Sequence, residues 1–251
     1  MISVKSKAEL EKMRRAGIIA GNALHFGGRS IKVGMTTYEL DKIIHDYIVK
    51  NGAKPSFLGY GGFKGSACIS INNEVIHGIP SKKRKICDGD IVSIDVGAYI
   101  DGFHGDTAYT FAVGNVSEEA KQLLKVTEES LYKGIEQAVA GNRIGDIGHA
   151  IEEYCTSYGY GIVRKYIGHG VGRELHESPE VPNYGKAGHG PRLVNGMTIA
   201  IEPMINAVGD DVKVLPDGWT VLTKSGSISA HFEHSVAVTS DGPVLLTKPT
   251  I

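Results

Sequence analysis

The sequence predicts an α+β fold in which pairs of helices alternate with groups of strands. Apolar residues at helical spacing follow two capping patterns near the N-terminus, and a strand region then extends to about Val113. Two further helical patterns and a second strand region come next. Because the order of two helices then strands occurs twice, we expect two structurally similar halves, although the sequence shows no obvious internal repeat.

Capping boxes mark the first two predicted helices. Ser6 with Glu9 opens the first, and Thr36 with Glu39 opens the second. In each pair the hydroxyl and the carboxylate can satisfy backbone N–H groups that a helix start leaves unpaired. Asn51, followed by glycine, predicts the end of the second helix.

Ser117 and Asp146 are the predicted caps of the third and fourth helices. Apolar positions at spacings of three and four follow each of them, as in an amphipathic helix. The remaining sequence predicts mainly strands and irregular segments. The predicted strand regions lie at residues 161–173, 197–203, 219–223 and 229–239.

A hairpin predicted over residues 91–111 carries two acids between apolar strand residues. If its turn is centred between Ile100 and Asp101, Asp95 lies opposite Asp106, where like charges repel. Two anions in an apolar hairpin need a shared proton or a cation. We favour the cation; the alternative is that one aspartate caps a turn and the other is solvated.

Composition limits the classes of function. A chain of 251 residues is long enough for a substantial core, and a formal charge of −1 gives no electrostatic case for nucleic acid or an anionic membrane as main partner. Cys68, Cys87 and Cys155 are odd in number and lack metal-type spacing, which favours thiols in a reducing compartment. With neither a signal-like apolar segment nor a membrane-length apolar run, we expect a cytoplasmic protein.

The later strands supply two more acids and a histidine. Glu202 shares the more polar face of its strand with Thr198 and Ala200, and Glu233 lies on the corresponding face of another strand. Taken alone, each strand is also explained as an ordinary edge strand with one solvent-exposed face. Glycines surround His169 and permit close backbone approach, but no helical pattern follows, so this is not a phosphate-binding fingerprint.

These residues together resemble the methionine aminopeptidases in order and spacing. The five matched metal ligands are Asp95, Asp106, His169, Glu202 and Glu233, within the motifs VIHGIP, IDVGAYIDGFHGD, GHGVG, IEPMI and HFEHS. The resemblance covers essentially the whole chain and implies the pita-bread fold. In that fold, two pseudo-twofold-related halves of mixed, largely antiparallel sheet are covered by helices, here in a single catalytic domain of residues 1–251. The short separation of Glu202 and Glu233 leaves no room for the helical insertion of type II enzymes and indicates type I.

The donor set suits a pair of divalent ions. Four carboxylates carry four negative charges, which two divalent cations balance, and the donors fit Mn, Fe, Co or Zn without choosing among them. The resemblance implies that Asp95 binds one metal, that His169 and Glu202 bind the other, and that Asp106 and Glu233 bridge both. It also implies that Glu202 shuttles a proton between the nucleophile and the leaving amine.

Two further histidines match residues that contact substrate in this family. His77 and His176 would stabilise the tetrahedral intermediate, whereas a lone histidine is more often an ordinary core or surface residue. His231 stands where the family usually has glutamine. It shares a strand face with Glu233 and could support a metal ligand.

The resemblance also implies an apolar pocket for one unbranched thioether side chain. Its predicted lining is Phe57, Tyr60, Phe63, Cys68, His77, Leu175, His176 and Trp219. Each of these residues alone is more often plain core. Two departures bear on how tightly the pocket closes: Leu175 replaces the usual aromatic residue, and Lys64 stands in place of a usual proline.

The predicted function is removal of the initiator methionine from new chains whose second residue is small. Expected partners are peptide or nascent-chain N-termini beginning with methionine, with the ribosome a candidate and no specific nucleic acid or membrane. We expect a monomer. The alternatives are an X-Pro aminopeptidase or creatinase-like enzyme of the same fold, and a non-catalytic pita-bread protein that binds peptides or the ribosome.

Overall fold

Four α-helices occur in residues 2–251, the part of the chain that this computed structural model describes. They are α1 (Lys7–Ser30), α2 (Thr37–Lys50), α3 (Glu118–Glu136) and α4 (Ile144–Ser157). No helix formed by these residues has both the length and the apolar character needed to cross a membrane.

The strands are short, apart from two long ones in the first half. They are β1 (Lys54–Pro55), β2 (Ala67–Ile71), β3 (Glu74–Ile76), β4 (Ile91–Ile100), β5 (Phe103–Ala112), β6 (Gly161–Ile162), β7 (Gly168–Gly170), β8 (Glu177–Val181), β9 (Thr198–Ile201), β10 (Met204–Asn206), β11 (Val212–Val214), β12 (Val221–Thr223), β13 (Ser229–His231), β14 (His234–Thr239) and β15 (Gly242–Leu245).

Three of the four predicted helix caps are confirmed. Both capping boxes form at the starts of α1 and α2, and Ser117 Oγ accepts a hydrogen bond from Ala120 N at 3.1 Å. The fourth cap was wrong. Asp146 lies inside the first turn of α4, and its carboxylate accepts a bond from the N–H of Arg143, the residue that occupies the cap position. An acid suits either position, since both lie at the positive end of the helix dipole.

In the first half, α1 and α2 pack against a sheet built around β4, which pairs with β1, β2 and β5. The core between them is aliphatic, with Leu40, Ile44 and Ile94 fully buried. At Gly105 a β-carbon would lie 2.5 Å from the Cα of Gly17. Glycine at position 105 therefore lets α1 lie directly on β5, and glycine at position 17 lets the segment at Leu246 lie against α1.

The central hairpin forms with a different register from the one predicted. Asp95 pairs with Ala108, and Asp106 pairs with Gly97, so the two aspartates are diagonal rather than directly opposite. The turn is centred on Asp101 and Gly102, which both have positive φ, as a two-residue type I′ turn requires. The shift is by two residues, and because side chains alternate with period two, both carboxylates still lie on one face.

In the second half, α3 and α4 pack together, and their apolar faces share a core with two antiparallel sheets. One sheet has the order β15-β14-β9-β7-β8, and the other has the order β13-β10-β6. Two predicted strands are interrupted. The region 197–203 ends as a strand at Ile201, and the region 229–239 breaks between β13 and β14.

Strand β5 joins the two halves. The N–H of Glu233 donates to the carbonyl of Ala108 at 2.9 Å, and the hydroxyl of Thr107 donates to the carbonyl of Glu233 at 2.8 Å. Strand β3 of the first half also pairs with β12 of the second. The two acids of the central hairpin therefore face the later strands, at the junction of the two halves.

Candidate active site

A cavity of about 160 Å³ lies at the junction of the two halves. All the side chains that the sequence assigned to the ligand set and the pocket line it. These are Phe57, Tyr60, Phe63, Cys68, His77, Asp95, Asp106, His169, Leu175, His176, Glu202, Trp219 and Glu233. Residues from distant parts of the chain are thus brought together around one space.

The five candidate ligands come from both halves. Asp95 and Asp106 lie within the long strands β4 and β5, and His169 is the middle residue of β7. Glu202 directly follows β9 and Glu233 directly precedes β14. The two glutamates therefore stand where the backbone leaves the ladder, and Pro203, which cannot donate to a ladder, follows the first of them.

The donor atoms are close enough to share cations. Single donor atoms of Asp106, His169 and Glu233 all lie within 4.8 Å of one another. His169 Nε2 is 3.9 Å from Asp106 Oδ2 and 3.6 Å from Glu202 Oε1. Carboxylates this close together repel one another, so the arrangement needs a positively charged partner.

Burial makes the cluster electrostatically unfavourable on its own. Desolvation raises the pKa of Asp95, Glu202 and Glu233 well above the usual carboxyl range, and the charge of Asp106 adds to this in each case. Desolvation also raises the pKa of Asp106 to about 7. These acids resist ionisation unless a cation lies among them.

Unpaired oxygens provide a second sign that the site is built to hold a cation. Asp95 Oδ1, Asp106 Oδ1 and Glu233 Oε1 are buried and find no hydrogen-bond partner within residues 2–251. Such atoms are rare in folded proteins and call for an explanation such as an ion. The oxygen-rich donor set with one imidazole fits divalent metal ions.

His169 is prepared to act as a ligand through Nε2. Its Nδ1 lies 2.8 Å from the carbonyl oxygen of Gly170, and a carbonyl only accepts, so Nδ1 carries the proton. Burial, and then the charge of the neighbouring His176, lower the pKa of His169 to about 4. The ring is therefore neutral at pH 7, with a free lone pair on the nitrogen that faces the acids.

An apolar cluster forms the other end of the cavity. Phe57, Phe63, Cys68 and Leu175 are all buried, and Trp219 packs edge-on against Phe63 with ring centroids 5.1 Å apart. Burial raises the pKa of the Cys68 thiol well above its usual value, so this side chain contributes as a small uncharged group.

The two departures from the family pattern have different positions. Leu175 lies in the cavity wall and is almost fully buried, whereas Lys64 is exposed and does not line the cavity. A change in the shape of the pocket therefore comes from Leu175.

His77 and His176 stand between the acids and the apolar end. Burial lowers the pKa of His77 to about 4 and also lowers the pKa of His176. His77 has a positive φ of 60°, an uncommon conformation for a residue other than glycine. The hydroxyl of Tyr60 lies 2.8 Å from Nδ1 of His176.

Comparison with known proteins agrees with this geometry. The model of metallopeptidase family M24 matches residues 11–240. A methionine aminopeptidase of Clostridium acetobutylicum is 54% identical over 247 residues, which cover 98% of this chain and 99% of that relative. The chain belongs to family M24, among its methionine aminopeptidases. The resemblance inferred from the motifs is thereby confirmed.

Solved structures of M24 proteins confirm the fold. The methionine aminopeptidase of Thermotoga maritima superposes with a TM-score of 0.97 at 46% identity and covers 99% of this chain and 100% of its own. The prolidase of Pyrococcus horikoshii gives a TM-score of 0.79 at 27% identity, and the match covers 98% of this chain but 63% of the prolidase. The α+β pita-bread prediction is confirmed, and the chain is a metallopeptidase and hydrolase. The main functional prediction holds, and the X-Pro and non-catalytic alternatives are set aside.

Three residues that touch the M24 site were missed by the sequence-based predictions. Asn183, fully buried in the segment after β8, donates from Nδ2 to the carbonyl of Glu202 at 3.0 Å. The hydroxyl of Ser235 accepts from the N–H of Asp106 at 3.1 Å, and Tyr166 packs edge-on against His77. Asn183 and Tyr166 lie in irregular segments, where no periodicity marks a buried side. Ser235 lies in β14, but its partner lies on another strand, 129 positions away.

Proposed function

We propose that this M24 enzyme removes the N-terminal methionine from peptides and nascent chains with a small second residue, using two divalent metal ions. One observation carries the proposal. The five-residue donor cluster and the apolar pocket line the same cavity, so a methionine side chain in the pocket brings its own amino end to the donors.

The ligand assignment follows the donor geometry and the family pattern. Asp95 would hold one metal, His169 and Glu202 would hold the other, and Asp106 and Glu233 would serve both. Mn, Fe, Co and Zn all suit this set. When bound, such ions acidify a water molecule and polarise the carbonyl under attack. Four carboxylates with two divalent cations are balanced in charge, which relieves the unfavourable burial of the acids.

The pocket selects methionine by shape and by its lack of polar groups. Phe57, Phe63 and Leu175 exclude water and leave room for a flexible, unbranched thioether. A charged or branched side chain loses hydration or clashes with this wall. Tyr60 and Trp219 lie at the cavity margin and complete the aromatic lining.

Glu202 is the proposed proton carrier. As a carboxylate that lines the cavity beside the other donors, it can accept a proton from the nucleophile and return it to the leaving amine. His176 and His77 hold the substrate carbonyl oxygen as negative charge develops there. A Tyr60 hydroxyl that donates to Nδ1 of His176 would leave Nε2–H of that ring as the free donor.

Hydrolysis of the tripeptide Met-Ala-Ser tests the proposal. Chelation should abolish cleavage, and separate addition of Mn²⁺, Fe²⁺, Co²⁺ or Zn²⁺ should restore it for at least one ion. Glu202→Gln should lower kcat by at least about 10²-fold, since its amide cannot carry the proton. Full activity in chelator, or in this variant, would contradict the assignment.

A competing substrate tests the specificity. The enzyme should cleave Met-Ala-Ser and leave Ala-Pro-Ala intact, because the second peptide puts a small side chain in the apolar pocket. Preferential cleavage of Ala-Pro-Ala would instead favour the X-Pro activity.

We also propose that the chain acts in the cytoplasm as a monomeric, single catalytic domain. Both halves supply ligands to one centre, and the three cysteines are all free thiols, as a reducing compartment favours. Nascent N-termini emerge at the ribosome, which makes it the candidate site of action. Light scattering of the purified protein and co-sedimentation with ribosomes test the monomer and the association.

A further inference from the structure

His231, the last residue of β13, lies beside the metal centre although it is not one of the five ligands. Its side chain is almost fully buried, and Nε2 finds no hydrogen-bond partner in the described chain. That nitrogen lies 3.5 Å from Glu202 Oε2. An unpartnered buried nitrogen this close to a carboxylate is an unusual arrangement for a residue without a function.

The carboxylate of Glu202 stands between two imidazoles. His169 Nε2 is 3.6 Å from Oε1, and His231 Nε2 is 3.5 Å from Oε2. The backbone of Glu202 is fixed separately, by the hydrogen bond from Asn183 to its carbonyl. This backbone contact does not set the rotation of the carboxylate group. That rotation determines which oxygen faces His169.

The backbone of His231 is held from the other half of the molecule. Its N–H donates to Thr110 Oγ1 at 2.9 Å, and that hydroxyl donates to the carbonyl of His231 at 2.8 Å. Thr110 Oγ1 in turn lies 2.8 Å from the hydroxyl of Ser93 on β4. The backbone of His231 is therefore hydrogen-bonded to β5, which carries Asp106, and through Thr110 it is connected to β4, which carries Asp95.

We propose that His231 is a positioning residue that donates its Nε2–H to Glu202 Oε2 and so keeps Oε1 turned toward the metal site. A carboxylate oxygen only accepts, so a donor on this side fixes one oxygen and releases the other for the metal and for proton transfer. This inference rests on the proposed function, since it takes Glu202 as a metal ligand and proton carrier.

The test compares variants of His231 in the intact protein. His231→Gln keeps an N–H donor, and His231→Leu removes it at similar size. His25→Leu removes a half-buried imidazole elsewhere and is the control. Each metal-free protein is titrated with Co²⁺ by calorimetry, and kcat and KM for Met-Ala-Ser are measured at saturating Co²⁺.

We expect His231→Leu to weaken Co²⁺ binding by about 10–100-fold and to lower kcat with little change in KM. His231→Gln and His25→Leu should stay within a few-fold of the wild type. Circular dichroism reports folding, and if His231→Leu does not fold, His231→Met replaces it as the variant without a donor.

The outcomes separate this inference from the proposed function. Wild-type protein that neither binds Co²⁺ nor cleaves Met-Ala-Ser would overturn both. Wild-type binding and cleavage, with unchanged values in the variant without a donor, would overturn the role of His231 alone. A glutamine variant as impaired as that variant would also overturn it, because a retained donor would then have no effect.

Discussion

Tyr60 and His176 are linked by a hydrogen bond of 2.8 Å between the phenolic oxygen and Nδ1. The two residues are 116 positions apart and belong to the two different halves. Their rings lie with centroids 5.3 Å apart, and the ring of His176 is also 4.1 Å from that of His169. The hydrogen bond with Tyr60 therefore helps to fix the orientation of His176, which lies next to the candidate metal site.

Tyr60→Phe should lower kcat/KM for Met-Ala-Ser by about fivefold. The change removes one hydrogen bond, worth about 1 kcal/mol, and frees the ring of His176 to turn or change tautomer. Steady-state kinetics measure the effect. Tyr158→Phe, which removes an exposed hydroxyl at the end of α4, is the control; equal effects from both variants would show that the contact with His176 is irrelevant.

A partly buried ion pair holds the segment that carries Leu175 and His176. Lys5 Nζ lies 2.6 Å from Glu177 Oε2, and Glu177 Oε1 accepts from the N–H of Arg173 at 2.8 Å. Lys5→Met should lower the free energy of unfolding by about 2 kcal/mol, since it leaves a partly buried carboxylate without its cation.

Urea unfolding measures the cost of Lys5→Met. Lys42→Met is the matched control, because Lys42 forms an exposed pair with Asp46 at 2.9 Å, and exposed pairs contribute little to stability. Similar losses in the two variants would mean that burial adds nothing to the pair with Glu177.

Asp41 ties α2 to the strand that carries Cys68. Its Oδ1 accepts from the N–H groups of Ser66 at 2.8 Å and Ala67 at 2.9 Å. Asp41→Ala should cost about 3 kcal/mol of unfolding free energy, because two buried N–H groups lose their acceptor. Asp41→Asn keeps an accepting oxygen and should cost less. A larger loss in the asparagine variant would point to the charge rather than the hydrogen bonds.

His25 should make the protein less stable in mild acid. In the folded state, burial against Tyr109 and Phe111 lowers the pKa of His25 below its ordinary value of 6.5. The charge of Arg29 lowers this pKa as well. Above pH 6.5 the residue is neutral in both states. As the pH falls below 6.5, the unfolded chain binds a proton that the folded chain does not, so stability falls.

Urea unfolding at a series of pH values tests this expectation. The unfolding free energy of His25→Gln should decline less than that of the wild type between pH 7 and pH 5. His149→Gln, at an exposed position on α4, is the control. Parallel curves for wild type and His25→Gln would contradict the assignment.

Local patterns predicted the elements better than they predicted how the elements meet. Capping at Ser6, Thr36 and Ser117 depends on contacts within a few residues, and these were correct. The hairpin register depends on which two residues adopt positive φ, and Asp101 with Gly102 satisfies this where Ile100 does not. The predicted and observed registers differ by two residues, which is an even number, so both carboxylates still lie on one face of the hairpin.

The candidate site could be assembled from motifs, but its supports could not. Periodicity and spacing mark Asp106 and Glu202 as acids on strands. They carry no information on Asn183 or Tyr166, whose partners lie in other parts of the chain. Such contacts arise from packing the two halves together, which no short segment encodes.

The division of the donors between the halves also has a consequence for synthesis of the enzyme. Asp95 and Asp106 leave the ribosome long before Glu202 and Glu233. A polypeptide whose Glu233 has not yet been synthesised thus holds an incomplete set of donors. Since the proposed centre uses all five, such a copy cannot remove any N-terminal residue, its own included, and only molecules synthesised earlier can do so.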